Sequence, residues 1–142
     1  MGPLGGDELN LPAAGGNYGP PLVSWGVHYN GAEIADPPTR PEFGDALYYW
    51  SPVISPSGMA FYTGAAFPEW RGNALIGGLS AQDLVRLELS GTRVTGEERI
   101  PLGTRVRDVE QGPDGFVYVL TDEPDGDVWR LEPLPVREAA SR

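Results

Sequence analysis

Apolar residues in the second half of the chain occur in short runs that turn residues separate. Seven of these runs are rich in β-branched or aromatic residues and are bounded by Gly, Pro or Asp, as short strands are. They are residues 59–63, 74–79, 84–89, 92–100, 106–111, 116–120 and 127–131. No stretch shows a long apolar stripe with the 3.6-residue period of a helix. The pattern predicts an all-β fold built from short strands.

The first fifty residues and the last ten differ from this strand-rich part. Clusters of Gly and Pro at 15–21 and 36–38 break any periodicity, although 7–11 and 22–25 could each form a short strand. Residues 134–142 carry few side chains that could join a core. We therefore expect a loop-rich start, a folded region that ends near residue 133, and a loose tail.

A short internal repeat suggests that the strands belong to a repeated structural unit. Residues 55–62 and 112–119 both contain a Pro-x-Gly turn that leads into a strand, and Gly58 and Gly115 are 57 residues apart. Blades of common β-propellers are about 40–50 residues long, so the spacing suits one blade with an enlarged loop. A propeller closes with about four to eight blades, which is more than this chain supplies. The internal repeat predicts a partial β-propeller. The chain would then be a fragment of a longer protein, a truncated gene product, or a unit that closes by self-association. A small β-sandwich is the alternative fold.

Composition removes several classes of function. Twenty acidic residues against ten basic ones give a net charge of −10, which argues against binding to nucleic acid or to anionic membranes. The chain has no Cys, which excludes disulfides, thiolate metal sites and Cys nucleophiles. Its one histidine, His28, excludes a two-histidine zinc site. No run approaches the roughly 18 apolar residues of a membrane span, and residues 1–20 lack the pattern of a signal peptide.

Eight short motifs, in their order along the chain, point to a family. They are GPLGGDELNL at 2–11, GNYG at 16–19, YWSP at 49–52, SPSGM at 55–59, FPEWRG at 67–72, RVRDV at 105–109, QGPDG at 111–115 and YVLTD at 118–122. The ordered set resembles the glucose/sorbosone dehydrogenase family, and most of all its soluble aldose sugar dehydrogenases that use pyrroloquinoline quinone (PQQ). The resemblance covers residues 2 to about 133, which correspond to the C-terminal part of the family's domain.

The resemblance implies a fold and a reaction. It implies that residues 1–133 are the C-terminal blades of a six-bladed propeller that holds PQQ and Ca²⁺ over its central channel. Such enzymes oxidise the anomeric carbon of an aldose sugar to a lactone and pass electrons to an external acceptor. Relatives are commonly periplasmic or secreted, and the same location is expected by resemblance.

Two arginines stand where the family's paired arginines contact the cofactor. Arg105 and Arg107 are separated by one residue, so on a strand their side chains share one face while Val106 points to the other. A guanidinium matches a carboxylate with two parallel hydrogen bonds, and PQQ carries three carboxylates. The alternative is that the two arginines lie on the surface and form ion pairs with Asp108 and Glu110.

A calcium site is implied at the start of the chain. Gly2 and Pro3 match a Gly-Pro pair whose backbone carbonyls ligate Ca²⁺, a cation that accepts backbone oxygens readily. Met1 stands where the family has a polar His or Gln. A plain turn is the alternative for the Gly-Pro pair.

Two further positions concern the sugar and the quinone. Trp50 falls where the family places an aromatic residue over the sugar pocket, although a buried core aromatic is an equal alternative. Ser80 stands where many relatives have a Lys that contacts the quinone. One expected positive charge is therefore missing, and we expect weaker cofactor binding or a different contact.

Other polar residues are interpreted as structural. His28 matches a loop motif with no catalytic role, and the base that the family uses lies upstream of the matched region. Asp7, Glu8, Asp122 and Asp125 lack the spacing of an EF-hand loop, so we interpret them as turn and surface residues. The Gly pairs lack the pattern of a dinucleotide site, which gives no support for NAD.

Two functions follow. The first is a segment of a PQQ- and calcium-dependent sugar dehydrogenase that is inactive alone and lacks its catalytic base. The second is a non-catalytic partial propeller that binds carbohydrate or protein through its loops. The loss of Lys at position 80 favours the second.

Overall fold

Nine strands in three antiparallel sheets make up the fold of the described residues. The computed structural model describes residues 4–20 and 22–134, and the predicted tail from residue 135 onward lies outside the described residues. The strands are β1 (Asp7–Leu9), β2 (Tyr48–Trp50), β3 (Pro56–Phe61), β4 (Ala74–Gly78), β5 (Asp83–Ser90), β6 (Arg93–Pro101), β7 (Val106–Gln111), β8 (Val117–Thr121) and β9 (Val128–Leu131). The helical segments of the described chain are two three-residue 3-10 turns, and neither approaches the length of a membrane span.

The strands confirm the all-β prediction. All seven predicted strands are present as β3 to β9, and β1 occupies part of the predicted segment 7–11. The segment 22–25 is not a strand; it contributes only an isolated bridge between Val23 and Ala35. Strand β2 was not predicted.

The sheets are simple meanders. Strands β1 and β2 pair with each other, β3 to β6 form a four-stranded sheet in chain order, and β7 to β9 form a three-stranded sheet in chain order. The two larger sheets therefore repeat one another, because β7 is the first strand of its sheet as β3 is of the preceding one. Short turns between antiparallel neighbours explain why Gly and Pro are spread along this region.

The internal repeat aligns strands that do not hold the same position in their sheets. Residues 55–62 contain β3, the first strand of its sheet, whereas residues 112–119 lead into β8, the second strand of its sheet. Gly115 lies in a true turn, with φ +82° and its N–H donating to Gly112 O at 2.9 Å. Gly58 instead lies inside β3, next to a shift in the pairing of β3 with β4. Repetition of sheets is confirmed, but the 57-residue offset is not its period.

Strand β4, an inner strand of the four-stranded sheet, is buried on both faces. In β4 the side chain of Leu75 packs with Val106, Val109, Val117 and Val119 of the three-stranded sheet. Its neighbours Ala74 and Ile76 point the other way and pack with Trp50, Ile54, Val85 and Leu87. Three sheets thus lie side by side, each covering the next, which is the arrangement of neighbouring propeller blades and not of a two-sheet sandwich. The chain is a partial β-propeller.

Glycines let the two larger sheets approach closely. A Cβ on Gly77 would lie 2.6 Å from Ser57 Oγ and 2.7 Å from Val106 Cγ1. The Ser57 hydroxyl also lies 3.0 Å from Gly77 O and 2.7 Å from Val106 O, so it links β4 to β7. Strand β7, which carries the predicted arginines, is fixed against the central sheet by these contacts.

Candidate functional site

The turns at one end of the sheets carry three of the positions singled out in the sequence. The pairing register places the ends of the strands at this edge through the pairs Pro56–Gly78, Asp83–Pro101 and Val106–Thr121. We call this end, with the turns that leave it, the arginine edge. Ser80, Arg105 and Arg107 belong to it, because Ser80 is in the β4–β5 turn, Arg105 directly precedes β7 and Arg107 is the second residue of β7.

Both arginines bind one carboxylate. Arg105 Nε donates to Asp122 Oδ2 at 2.8 Å. Arg107 donates to Asp122 Oδ1 from Nε at 3.0 Å and from Nη2 at 2.8 Å. Val106, between them, is fully buried. The two guanidiniums converge on Asp122, and neither pairs with Asp108 or Glu110. Their contact with the cofactor stays a prediction.

A bulge at the start of β7 accompanies this geometry. Val106 pairs with Thr121 and Asp108 with Leu120, so Arg107 is an additional residue on β7. A bulge bends its strand and changes the direction of a side chain, and bulges are common beside functional sites. Asp108 is engaged locally, since its carboxylate accepts the N–H of Val109 at 2.9 Å.

Charge and exposure leave the arginines able to bind a second anion. Their side chains are 43% and 50% exposed, against 25% for Asp122. Hydrogen bonds first from Arg105 and then from Arg107 hold the pKa of the Asp122 carboxyl below its ordinary value, so the cluster carries a net charge of +1 at neutral pH. Within the described residues, both Nη atoms of Arg105 and Nη1 of Arg107 have no protein acceptor. Asp122 was interpreted from sequence as a turn residue, and the structure makes it part of the cluster.

Hydrogen bonds connect the turns of this edge from one sheet to the next. Asp7, a buried residue of β1, accepts the N–H of Ser55 at 2.8 Å. The Ser80 N–H donates to Ile54 O at 3.1 Å. Gln82 O then accepts N–H groups from the residues that precede β7, Leu102 at 3.2 Å and Gly103 at 3.1 Å. The turn with Ser80 is therefore joined both to the segment that follows Trp50 and to the segment that leads to Arg105.

Trp50 lies in the core and not on an open surface. Its side chain is 3% exposed, packs with Ile54, Ala74 and Ile76, and meets Tyr48 edge to face with ring centroids 5.2 Å apart. This is the alternative that the sequence left open. In this structure the indole has no exposed face for a sugar ring.

An open cleft beside β2 has aromatic walls that the sequence did not indicate. Its volume is about 450 Å³, and its lining residues are Trp25, Asp45, Ala46, Leu47, Tyr48, Tyr49 and Ser51. Trp25 and Tyr49 stack in parallel with ring centroids 4.5 Å apart, and Tyr49 is 46% exposed. The pairing of Trp25 with Tyr49 depends on a fold-back of the loop that spans 10–47, which periodicity does not reveal.

The remaining candidates from the sequence are the calcium site and His28. Gly2 and Pro3 lie outside the described residues, so the calcium site stays a prediction. Among residues 4–20 and 22–134 no group of three or more His, Asp or Glu side chains could hold a metal ion. His28 is exposed in a turn, where its backbone O accepts the N–H of Gly31 at 2.8 Å. Its side chain has no hydrogen bond within the described chain. That it is not a catalytic base stays a prediction.

Known proteins share both the sequence and the fold. A profile of the family described as "Glucose / Sorbosone dehydrogenase" matches residues 1–130. Aldose sugar dehydrogenase YliI of Escherichia coli is 42% identical over 136 residues, covering 93% of this chain and 37% of that protein. Quinoprotein glucose dehydrogenase B of Acinetobacter calcoaceticus is 28% identical over 179 residues, covering 86% of this chain and 37% of that protein.

A solved structure extends the likeness to three dimensions. A crystal structure of a glucose dehydrogenase superposes with a TM-score of 0.89 at 44% identity, covering 94% of this chain and 40% of that chain. The chain thus spans little more than a third of the length of these two curated relatives. With this match and its partial propeller, the chain belongs to the glucose/sorbosone dehydrogenase family.

Proposed function

We propose that this chain forms the part of a sugar dehydrogenase that binds PQQ, and that Arg105 and Arg107 hold the carboxylates of the quinone. The observation that supports this most is the pair of half-exposed guanidiniums that one carboxylate orients together. Three N–H-bearing nitrogens of the pair have no acceptor in the described residues, which fits a planar anion with several carboxylates. The name of the quinoprotein relative supports a quinone as that anion.

The residues of the arginine edge would bind and orient the cofactor. When bound, PQQ takes up the two electrons and two protons that an aldose loses on becoming a lactone, and it later passes electrons to an external acceptor. Arg105 and Arg107 would fix the cofactor in the plane through paired hydrogen bonds. Ser80 has a short hydroxyl side chain where many family members have a Lys. One positive charge fewer would therefore contact the quinone.

Calcium and the substrate complete the proposal. The backbone carbonyls of Gly2 and Pro3 would hold Ca²⁺, and the segment that follows them is tied to β2 because the N–H of Gly6 donates to Trp50 O at 2.8 Å. The catalytic base is expected outside this chain, so we propose that the chain needs additional propeller blades for turnover. A periplasmic or secreted location belongs to the same proposal.

Titration of the purified chain with PQQ, with and without Ca²⁺, tests this function. The absorbance of the cofactor reports binding, and circular dichroism reports the fold. We expect Ca²⁺-dependent binding that Arg107→Ala weakens by at least tenfold, since the change removes a charge-assisted hydrogen bond to a carboxylate. Arg71→Ala is the matched control, because Arg71 is an exposed arginine at the opposite end of the sheets, where its Nε donates to Gly64 O at 2.8 Å. Equal affinities for the folded wild type and Arg107→Ala would contradict the proposal.

The cleft beside β2 favours a second function, a carbohydrate-binding module without catalysis. Stacked aromatic rings beside a carboxylate, here Trp25 and Tyr49 beside Asp45, offer the apolar face and the hydrogen-bond acceptor that a pyranose needs. Titration with glucose or maltose in the absence of PQQ would show saturable binding that Tyr49→Ala removes. If Tyr49→Ala leaves sugar binding unchanged, this second function has no support.

A further inference from the structure

Asp122 is an acidic residue at a place where the proposed ligand is also acidic. It lies between Arg105 and Arg107, uses one carboxylate oxygen for each, and has no other side-chain partner within the described chain. A negative charge at this place has two opposite consequences. It repels an incoming anion, and it also fixes the direction of two long, flexible cationic side chains.

The backbone holds Asp122 firmly in place. Its own N–H donates to Arg105 O at 2.8 Å, directly after β8 pairs with β7 at Thr121 and Val106. The buried Thr121 closes the following loop, because its Oγ1 accepts the N–H of Asp127 at 2.7 Å and its N–H donates to Asp127 O at 2.9 Å. A carboxylate on so short a side chain therefore has a fixed position relative to the start of β7.

The neighbouring acidic residues do not share this role. Glu123 accepts the hydroxyl of the buried Thr104 at 3.2 Å. Asp125, in the same loop, is exposed and has no hydrogen bond or ion pair within the described residues. Of the loop that joins β8 and β9, Asp122 alone contacts the arginines among the described residues.

The hydrogen bonds of Asp122 leave a particular set of donors free. Arg105 is held by Nε alone, so its two terminal nitrogens stay available as a fork. Arg107 is held along its Nε and Nη2 side, so Nη1 stays available. Both guanidiniums carry their charge at neutral pH, and without a shared anion their mutual repulsion would drive them apart.

We propose that Asp122 is a positioning residue that orients Arg105 and Arg107 as a pair. The oriented pair binds a polycarboxylate in preference to a monocarboxylate. This inference rests on the proposed function, with PQQ as the polycarboxylate. The pre-ordering lowers the entropy that the arginines lose on binding, and this gain exceeds the repulsion between Asp122 and the ligand.

Asp122→Asn tests the inference, because positioning and repulsion predict effects of opposite sign. If repulsion dominates, removal of the negative charge tightens PQQ binding. If Asp122 positions the arginines, Asp122→Asn weakens PQQ binding by about tenfold, the size of one charge-assisted hydrogen bond. Asp125→Asn is the matched control, since it makes the same change of charge in the same loop and is expected to bind PQQ as tightly as the wild type or slightly more tightly.

A second readout does not depend on PQQ. The Nε–H groups of Arg105 and Arg107 each donate to Asp122, so their NMR signals should exchange slowly with water in the wild type and in Asp125→Asn. We expect both signals to be lost in Asp122→Asn and to return in part in Asp122→Glu.

The two readouts separate this inference from the proposed function. If the folded wild type does not bind PQQ, the proposed function fails, and loss of the Nε–H signals in Asp122→Asn still supports the positioning of the arginines. Weaker PQQ binding together with loss of the signals supports the full inference. Equal or tighter PQQ binding by Asp122→Asn overturns it, as do Nε–H signals that Asp122→Asn leaves unchanged.

Discussion

The two ends of the same sheets have opposite character. At the end away from the arginines, Tyr62 is fully buried, its hydroxyl donates to Gly115 O at 2.6 Å, and it accepts the N–H of Phe67 at 3.0 Å. Phe67 and Trp70 stack there with ring centroids 4.2 Å apart. We call this end the aromatic edge. At the arginine edge, the side chains of Arg105 and Arg107 are about half exposed.

The two edges are therefore expected to contribute differently to the stability of the fold and to ligand binding. At the aromatic edge, apolar area and hydrogen bonds between two sheets are buried together, so its side chains stabilise the contact between blades. At the arginine edge, exposed ion pairs contribute little to folding, and their charged donors face solvent. Substitutions at the two ends should therefore affect different measurements.

The largest effect on stability is expected for Tyr62→Ala. The change removes a fully buried aromatic ring and leaves Gly115 O and the Phe67 N–H without their partner. We expect the free energy of unfolding to fall by about 3–5 kcal/mol. Urea denaturation measures it. Arg105→Ala at the arginine edge is the comparison, and a loss of stability there as large as that of Tyr62→Ala would contradict the contrast between the edges.

A smaller loss of stability is expected where the two larger sheets approach closely. Gly77→Ala places a methyl group 2.7 Å from Val106 Cγ1 and 2.6 Å from Ser57 Oγ, which pushes β7 away from β4. We expect a loss of about 1–3 kcal/mol in the free energy of unfolding, measured in the same way. Gly96→Ala is the control, because its nearest neighbour is the movable Glu88 side chain at 3.0 Å. The packing argument is wrong if both variants lose the same stability.

Ser80→Lys is expected to change binding and not stability. Ser80 is exposed in the β4–β5 turn of the arginine edge. The resemblance to the family implies a Lys at this position in many members. An added positive charge should tighten PQQ binding by about two- to fivefold, as expected for a partly exposed ion pair. The titration with PQQ measures the change, with Thr63→Lys at the aromatic edge as the control. Equal gains from both lysines would show only a general effect of net charge.

The smallest expected effect is on the titration of Asp122. Its pKa is lowered by hydrogen bonds from Arg105 and then Arg107, so the charged carboxylate stabilises the fold above the ordinary pKa of about 3.9. That contribution disappears as the pH falls through the lowered pKa of the folded chain. We expect the carboxyl ¹³C signal of Asp122 to titrate below the ordinary pKa, and to move back toward it in Arg105→Ala. A midpoint that Arg105→Ala does not move would contradict the assigned cause.

Local patterns in the sequence predicted the strands but not every boundary. Runs with β-branched residues predicted β3 to β9, because each strand depends mainly on its own side chains. Strand β2 escaped prediction, since Tyr48, Tyr49 and Trp50 show no polar alternation and follow a long loop. The internal repeat suggested repeated units. Because it is only eight residues long, it aligned β3 with the second strand of the next sheet.

The candidate site was predicted in part for similar reasons. The spacing of Arg105 and Arg107 predicted that their side chains converge, because that property belongs to one strand. Their partner Asp122 follows β8, and its contact exists only because β8 pairs with β7. The burial of Trp50 depends on a neighbouring sheet in the same way. Contacts between distant parts of the chain are what the pattern along the sequence does not contain.

We propose that the arginine edge binds the cofactor, whereas the aromatic edge holds the blades together. NMR of the ¹⁵N-labelled chain, with PQQ added in the presence of Ca²⁺, tests it most directly. We expect the shifted amide signals to belong to Ser80, to residues 105–108 and to Asp122, while those of Thr63, Arg71 and Gly115 stay in place. Shifts confined to the aromatic edge, or no shifts in a folded chain, would contradict the account.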